Sequence, residues 1–145
     1  MTDESERSEG ALTTAGRTIT EADLVNFAGV SGDFHALHTD AAAMADSGFG
    51  ERIAHGALVF SVMTGLLWQA RTPAERDAVV ALYGVDRLRF VAPVYLGDTL
   101  HVEADDVEIE AVDHPEASER VRTEATVLNQ DGAVVLACEF LTLRR

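Results

Sequence analysis

The chain has 145 residues, of which 47% are hydrophobic, and its 25 acidic side chains outnumber 11 basic ones to give a formal net charge of −14. This length is enough for one domain with a sizeable core, and the hydrophobic fraction excludes a chain that is disordered throughout. The negative charge argues against non-specific nucleic-acid binding. Neither a signal peptide nor a membrane-spanning run is recognisable, because the longest apolar stretch, 57–67, is too short to cross a bilayer. We therefore expect a cytoplasmic protein that binds neither nucleic acid nor membranes.

All 11 basic residues are arginine. An acidic composition without lysine is typical of proteins from salt-loving microbes, in which counter-ions screen the repulsion between carboxylates, although GC-rich coding also favours arginine. The single cysteine, Cys138, lies in an apolar, strand-like run. It is predicted to be a buried, unreactive thiol.

The first elements in chain order are a tail, a short helix and a loop. Residues 1–10 are polar and acidic and predict a loose tail, so the domain spans 11–145. Thr20, followed by acidic residues, predicts a capped helix start, and Gly29 is predicted to end that helix. We expect the segment 30–38 to be an irregular loop.

Two further helices follow this loop. A short helix is predicted over 41–45, and a longer one runs from His55 to about Ala70, with its exit marked by Pro73 and the charged residues after it. The longer helix is apolar on nearly every side, which is the pattern of a buried helix.

The second half of the chain reads as about four long antiparallel strands. The first covers 79–91, and the second requires a bulge near Asp105-Asp106 because its apolar positions change parity there. Asp131-Gly132 predicts the hairpin turn between the last two strands. An additional strand is expected within 12–19. The predicted fold is α+β, a single domain in which an antiparallel sheet wraps around one long buried helix.

The candidate chemistry lies at the start of this helix and in the loop before it. Asp33 and His38 place a carboxylate and an imidazole five residues apart, which is the equipment for general acid and base catalysis. The His55-Gly56 step opens the long helix, where a backbone N–H can polarise a carbonyl oxygen.

Each of these residues also has a simpler interpretation. Asp33 can form an Asx turn, and His38 can be structural. His55 is more simply explained as a cap or as a hydrogen-bond partner of the loop than as a reacting group. Arg87 and Arg89 can bind anionic groups such as phosphates, but alternating charge is ordinary on a solvated strand face.

A metal site is a further alternative. Asp33 and His38, together with two neighbours, His35 and Asp40, place four nitrogen and oxygen ligands within eight residues. This alternative leaves the His-Gly helix start without an explanation, so we expect no metal and no other cofactor.

Several short motifs together resemble the MaoC-like hydratases of the hot-dog fold, particularly the (R)-specific enoyl-CoA hydratases. The motifs, in chain order, are Phe27-Ala28, Ser31-Gly32-Asp33, Leu37-His38 with Asp40, Phe49-Gly50, Ile53-Ala54-His55-Gly56, Phe90-Val91-Ala92-Pro93-Val94 and Gly97-Asp98-Thr99-Leu100. The match covers nearly the whole chain after residue 17.

The resemblance implies a role for particular residues. The catalytic pair of the family falls on Asp33 and His38, and its carbonyl-binding N–H falls on Gly56. A supporting serine of the family falls on Thr64, with Ser31 and His55 also placed next to the catalytic groups. The chain departs from the family where His35-Ala36 replaces the usual Asn-Pro, which puts loop rigidity and substrate preference in doubt.

The implied activity is reversible hydration of trans-2-enoyl-CoA to (R)-3-hydroxyacyl-CoA by a homodimer or a higher homo-oligomer. Acyl chain length and the pathway, whether β-oxidation, polyhydroxyalkanoate supply or a dedicated dehydration, stay open. Two alternatives share the fold: an acyl-CoA thioesterase, in which the carboxylate activates water toward the carbonyl, and a non-catalytic acyl-CoA-binding subunit.

We predict that the melting temperature of the protein falls as salt is removed. The Debye length grows from about 3 Å at 1 M to about 30 Å at 0.01 M salt, so repulsion among the carboxylates is felt across more of the surface. Thermal unfolding followed by circular dichroism between these two concentrations measures the effect. A melting temperature that does not change with salt contradicts the salt-adapted interpretation.

Overall fold

One antiparallel sheet of six strands forms the larger part of the fold in the computed structural model, which describes residues 11–145. The strands are β1 (Leu12–Thr13), β2 (Arg17–Thr18), β3 (Val79–Phe90), β4 (Thr99–Ala111), β5 (Glu119–Leu128) and β6 (Val134–Arg144). The long strands pair in the order β4-β5-β6-β3, and β1 and β2 both pair with β4. The predicted tail, 1–10, lies outside the described residues.

Five helices accompany the sheet in the described part of the chain. They are α1 (Glu21–Ser31), α2 (Ala36–Thr39), α3 (Ala41–Ala45), α4 (Gly56–Ala70) and α5 (Pro73–Ala78). The sheet curls around α4, which buries six apolar side chains in the core: Leu58, Val59, Val62, Met63, Leu66 and Leu67. The α+β fold expected from the sequence is confirmed.

The alternating pattern correctly predicted the buried face of β5 and of the first half of β4, whereas Val107 and Ile109, beyond the bulge in β4, are exposed. Val102 of β4, Val127 of β5 and Leu136 of β6 stand opposite one another in register, and all three are fully buried. The predicted bulge in β4 is confirmed, because the register with β5 shifts between Asp106 and Glu108.

The prediction for the first helix was right at its start and wrong at its end. Thr20 caps α1 in a reciprocal capping box with Asp23. The helix does not stop at Gly29 but continues to Ser31, and Gly32 ends it in the left-handed conformation at φ 76°. Since α2 begins at Ala36, the expected loop over 30–38 shrinks to residues 32–35.

Three other expectations need correction. The charged segment after Pro73 forms the short helix α5, because Thr72 and Glu75 make a second capping box around it. The additional strand within 12–19 is divided into β1 and β2. The long helix α4 is not covered on every side within the chain, since four residues at helical spacing form an exposed face: Ala57, Ser61, Gly65 and Trp68.

No helix among residues 11–145 combines the length and the apolar character needed to cross a membrane.

Cys138 is predicted to be unreactive in the folded protein. Its thiol is buried with its sulfur 3.9 Å from that of Met63, and burial raises its pKa to about 11, with the charge of Glu139 adding to the effect. Because the thiolate is the reacting species, we expect no labelling by a thiol reagent at pH 8 in native protein and one thiol per chain after unfolding. Rapid labelling of the native protein contradicts this burial.

Candidate active site

Asp33 is held in place by the short loop between α1 and α2. Its N–H donates to Ser31 Oγ at 3.1 Å, and its Oδ1 accepts a hydrogen bond from the His35 N–H at 3.2 Å. The second contact is the Asx turn that the sequence allowed. The turn uses only one carboxylate oxygen, so Oδ2 is left for chemistry on a side chain that is about half exposed.

His38 lies on α2 and is buried, with 7% of its surface exposed. Its Nδ1 lies 2.7 Å from the carbonyl oxygen of Ile53. Because a carbonyl oxygen only accepts hydrogen bonds, Nδ1 carries the hydrogen, and the Nε2 of the neutral ring is an acceptor. The main chain therefore sets the tautomer of this imidazole.

The acceptor Nε2 of His38 lies 3.7 Å from Oδ2 of Asp33. This separation is too long for a direct hydrogen bond, and two acceptors gain nothing from facing each other. A water molecule between them can donate one hydrogen to each atom. The pair is therefore suited to holding and polarising a water.

His55 connects the two members of the pair and is 2% exposed. Its ring stacks on that of His38 with centroids 3.7 Å apart, and its Nε2–H donates to the carbonyl oxygen of Asp33 at 3.0 Å. Phe27 packs against the His55 ring in an edge-on arrangement, with ring centroids 5.0 Å apart. The Nδ1 of His55 is buried without a hydrogen-bond partner. The predicted bond to the loop is thus present, whereas the alternative of a side-chain cap on α4 is not.

The first turn of α4 has no side-chain cap, since His55, its N-cap residue, is turned toward Asp33. The N–H of Gly56 has no intrahelical partner, because it is the first residue of the helix. The positive end of the helix dipole adds to the attraction of this N–H for a carbonyl oxygen. The donor predicted at Gly56 is therefore available, directly after the residue that holds Asp33.

Arg52 links α1 to α2, the helices on either side of the loop that carries Asp33. Its guanidinium forms an ion pair with Glu21 of α1, and its Nη1 lies 3.4 Å from the carbonyl oxygen of His38. The hydrogen bond from Arg52 holds the pKa of Glu21 below its usual value. This ion pair links the start of α1 to α2.

Thr64 is not brought to the pair within this chain. It lies eight residues beyond Gly56 on α4, a rise of about 12 Å along the helix. Its Oγ1 donates to the carbonyl oxygen of Ser61 at 2.7 Å. A supporting role for Thr64 in the site stays a prediction.

The two arginines considered for phosphate binding have local contacts. Arg87 forms an ion pair with Glu139 at 2.9 Å, and Arg89 donates to the carbonyl oxygen of its neighbour Leu88. Arg87 adopts a positive φ of 52° at a register shift between β3 and β6. These contacts fit the charged strand face better than a phosphate site.

The metal alternative used four side chains, and two of them, His35 and Asp40, cap helices in the structure. His35 Nδ1 accepts from the Leu37 N–H to cap α2, and Asp40 caps α3. The donor atoms that do lie within 4.8 Å of one another belong to Asp33, His38 and His55. The two histidine rings are stacked with only 22° between their planes, so their in-plane lone pairs do not converge on one ion. The geometry suits a water better than a metal.

Sequence reasoning missed two contributors to this site. The Ile53 carbonyl that orients His38 is a backbone group and carries no sequence signal. Phe90, whose ring packs against Gly56, stood in a recognised motif but was given no role. Its position at the end of β3, close to a proline, was the available hint.

A single antiparallel sheet wrapped around a central helix is the hot-dog fold, and solved hot-dog structures share it with this chain. The MaoC-like domain family matches residues 4–129, and the chain belongs to that family.

Individual relatives bear different names. An (R)-specific enoyl-CoA hydratase of Aeromonas caviae is 34% identical over 120 residues, 81% of each protein. Protein MaoC of Klebsiella aerogenes is 47% identical over 92 residues, which are 63% of this chain but only 26% of that protein. The structure of a monoamine oxidase regulatory protein from Archaeoglobus has a TM-score of 0.85 at 34% identity and covers 98% of this chain and 93% of that one.

Two substitutions at position 55 separate the ring stack from the hydrogen bond. His55→Phe keeps an aromatic ring against His38, loses the donor to Asp33 and removes the unpaired Nδ1. We expect its free energy of unfolding to stay within about 1 kcal/mol of wild type, while turnover in the reaction proposed below falls roughly tenfold or more. His55→Gln, which keeps a donor without the stack, is the matched variant. Unchanged turnover in His55→Phe contradicts a positioning role for the hydrogen bond.

Proposed function

We propose that this protein is an enzyme, a hydro-lyase that reversibly adds water to trans-2-enoyl-CoA and forms (R)-3-hydroxyacyl-CoA. The observation that carries the proposal is the pair of acceptor atoms, Asp33 Oδ2 and His38 Nε2, 3.7 Å apart and next to the uncapped N-terminus of α4. The 34% identity to an (R)-specific enoyl-CoA hydratase over four fifths of each chain supports it.

In the proposed mechanism, the pair aims a water at C3 of the substrate. Asp33 Oδ2 accepts one proton of the water as the water oxygen bonds to C3. His38 Nε2 accepts a hydrogen bond from the other hydrogen, which stays on the new hydroxyl group, and so orients the attack. A proton then passes through the pair to C2, so that both side chains return to their starting charge. Acid and base groups of this kind contribute roughly 10²–10⁴-fold in rate.

The N-terminus of α4 stabilises the charge that develops on the thioester oxygen. As C3 is attacked, the electron pair of the double bond moves toward the carbonyl and forms an enolate. The N–H of Gly56 donates to that oxygen, and the helix dipole adds to the effect. Loss of a comparable donor in another enzyme costs about 3 kcal/mol of transition-state stabilisation.

The proposed reaction uses only the chain, the thioester and water, without a cofactor. We also propose that the working unit is at least a homodimer. Strand β3 is a sheet edge among the described strands, and large apolar side chains along and just past it are exposed. The exposed face of α4 is a second surface that can take part in the contact between the two subunits.

Thioester hydrolysis is the alternative reaction on the same site. It requires the water to attack the carbonyl carbon, the atom whose oxygen is held at Gly56. A non-catalytic acyl-CoA-binding subunit is the other alternative, and one structurally similar protein is named a regulatory protein. The retained pair of Asp33 and His38 favours an enzyme over a subunit of this kind.

The deciding experiment is incubation with crotonyl-CoA in high salt. We expect loss of the conjugated thioester absorbance, an (R)-3-hydroxybutyryl-CoA product and no free thiol. Release of CoA moves the assignment to a thioesterase. If neither product forms with short or medium acyl chains, the hydratase proposal is wrong for those substrates, and acyl-CoA binding by calorimetry then tests for a subunit.

Two isosteric variants test the roles of the pair. Asp33→Asn removes the base and His38→Gln removes the imidazole, and we expect each to lower turnover by roughly 10²–10⁴-fold. Because the Asp33 side chain is about half exposed, Asp33→Asn should leave the melting temperature nearly unchanged. Asp40→Asn, which alters a carboxylate seven residues away that caps α3, is the matched control. Full activity in either active-site variant refutes the mechanism.

A further inference from the structure

The side-chain space at position 56 is already occupied by an aromatic ring. A Cβ built on Gly56 stands 2.8 Å from two carbons of the Phe90 ring and 3.0 Å from a third. Carbon atoms in proteins pack at about 3.5–4.0 Å. Any larger residue at position 56 therefore displaces Phe90. Close approach of a ligand to the backbone is one reason for a glycine at such a position, and the contact with Phe90 supplies another.

The backbone of Phe90 is held in place by hydrogen bonds to the sheet. It is the last residue of β3, paired with Leu136 of β6, and the N–H of the next residue donates to the carbonyl oxygen of Val135 at 2.9 Å. Four residues further, the carbonyl oxygen of Val94 accepts from the Ala54 N–H at 2.7 Å. The chain segments on both sides of the contact between Gly56 and Phe90 are thus tied to each other and to the sheet.

The ring is not simply part of the core. Phe90 is 55% exposed although it touches the first residue of α4. It contacts that helix at the point where the uncapped N–H groups emerge.

We propose that Phe90 is a positioning residue for the Gly56 N–H. His55, the residue before this N–H, is anchored to Asp33 and His38, and the Phe90 ring packs against Gly56 itself. Glycine at position 56 lets the ring stay where it is, because a larger residue would displace it. The catalytic consequence rests on the proposed hydratase function, whereas the packing does not.

A double-mutant cycle separates this proposal from close approach by substrate. We expect Phe90→Ala to lower turnover roughly ten- to hundred-fold with a smaller change in KM, because misplacing a group by about 1 Å costs on that order. Gly56→Ala should lower turnover similarly. The double variant should lose no more than Phe90→Ala alone, because no ring is left for the new methyl group to displace. Losses that multiply in the double variant overturn the proposal, since they show that the methyl group itself obstructs the substrate.

Two further variants control for nonspecific effects. Phe90→Tyr keeps the ring and should retain most of the turnover. Ile109→Ala removes an apolar side chain of similar exposure, 58%, on β4, three strands away from β3, and it should leave turnover unchanged. If Phe90→Ala behaves like Ile109→Ala, the ring has no positioning role.

Thermal unfolding of the same four proteins tests the packing without any substrate. In the wild-type background, Gly56→Ala should lower the melting temperature, because Phe90 must move. In the Phe90→Ala background it should leave the melting temperature unchanged or raise it, because alanine is the better helix former. If the wild type hydrates no enoyl-CoA, the proposed function fails while this readout still decides the packing. If Gly56→Ala changes the melting temperature equally in both backgrounds, the proposed packing of Phe90 against Gly56 is overturned.

Discussion

Four consecutive residues, Ile53 to Gly56, hold every group of the candidate site. The Ile53 carbonyl sets the tautomer of His38, and the Ala54 N–H bonds to Val94 beside the sheet. His55 donates to the Asp33 carbonyl while its ring stacks on His38, and Gly56 presents the helix N-terminus. The Asp33 carbonyl, the His38 imidazole and the Gly56 N–H all lie on or contact this one short segment. A few hydrogen bonds and one ring stack at the helix start therefore set their relative positions.

This arrangement lowers the stability of the fold locally. His55 is nearly fully buried, yet its Nδ1 lacks a partner, and α4 begins without a side-chain cap. An unsatisfied buried acceptor and an uncapped helix each typically cost on the order of 1 kcal/mol. Both features have one cause: the ring of His55 points toward Asp33 and does not lie over the end of the helix. The same orientation leaves the first N–H groups of α4 available to a ligand.

The charge of the protein places a constraint on the substrate that we propose, which carries the phosphates of CoA. Six of the ten arginines among residues 11–145 lie within ion-pair distance of a carboxylate, so few cations are left to attract such a ligand. At a net charge of −14 the long-range field repels polyanions, and salt weakens that repulsion. The salt that would stabilise the fold would therefore also permit substrate to approach. Binding then depends on short-range contacts at the helix N-terminus and on apolar surface.

The sequence by itself determined the elements whose signals are local. Apolar alternation gave the strands, the parity change gave the bulge in β4, and the Thr20 cap gave the start of α1, because each depends on residues close in the chain. It also selected Asp33, His38 and Gly56 through motif spacing. Only the tertiary structure decided that Gly32 rather than Gly29 ends α1, since which glycine adopts the left-handed conformation depends on what the following loop must reach. Contacts between distant segments, such as His55 with Asp33 across 22 residues, arise from the packing of α4 against the loop and leave no periodic trace in the sequence.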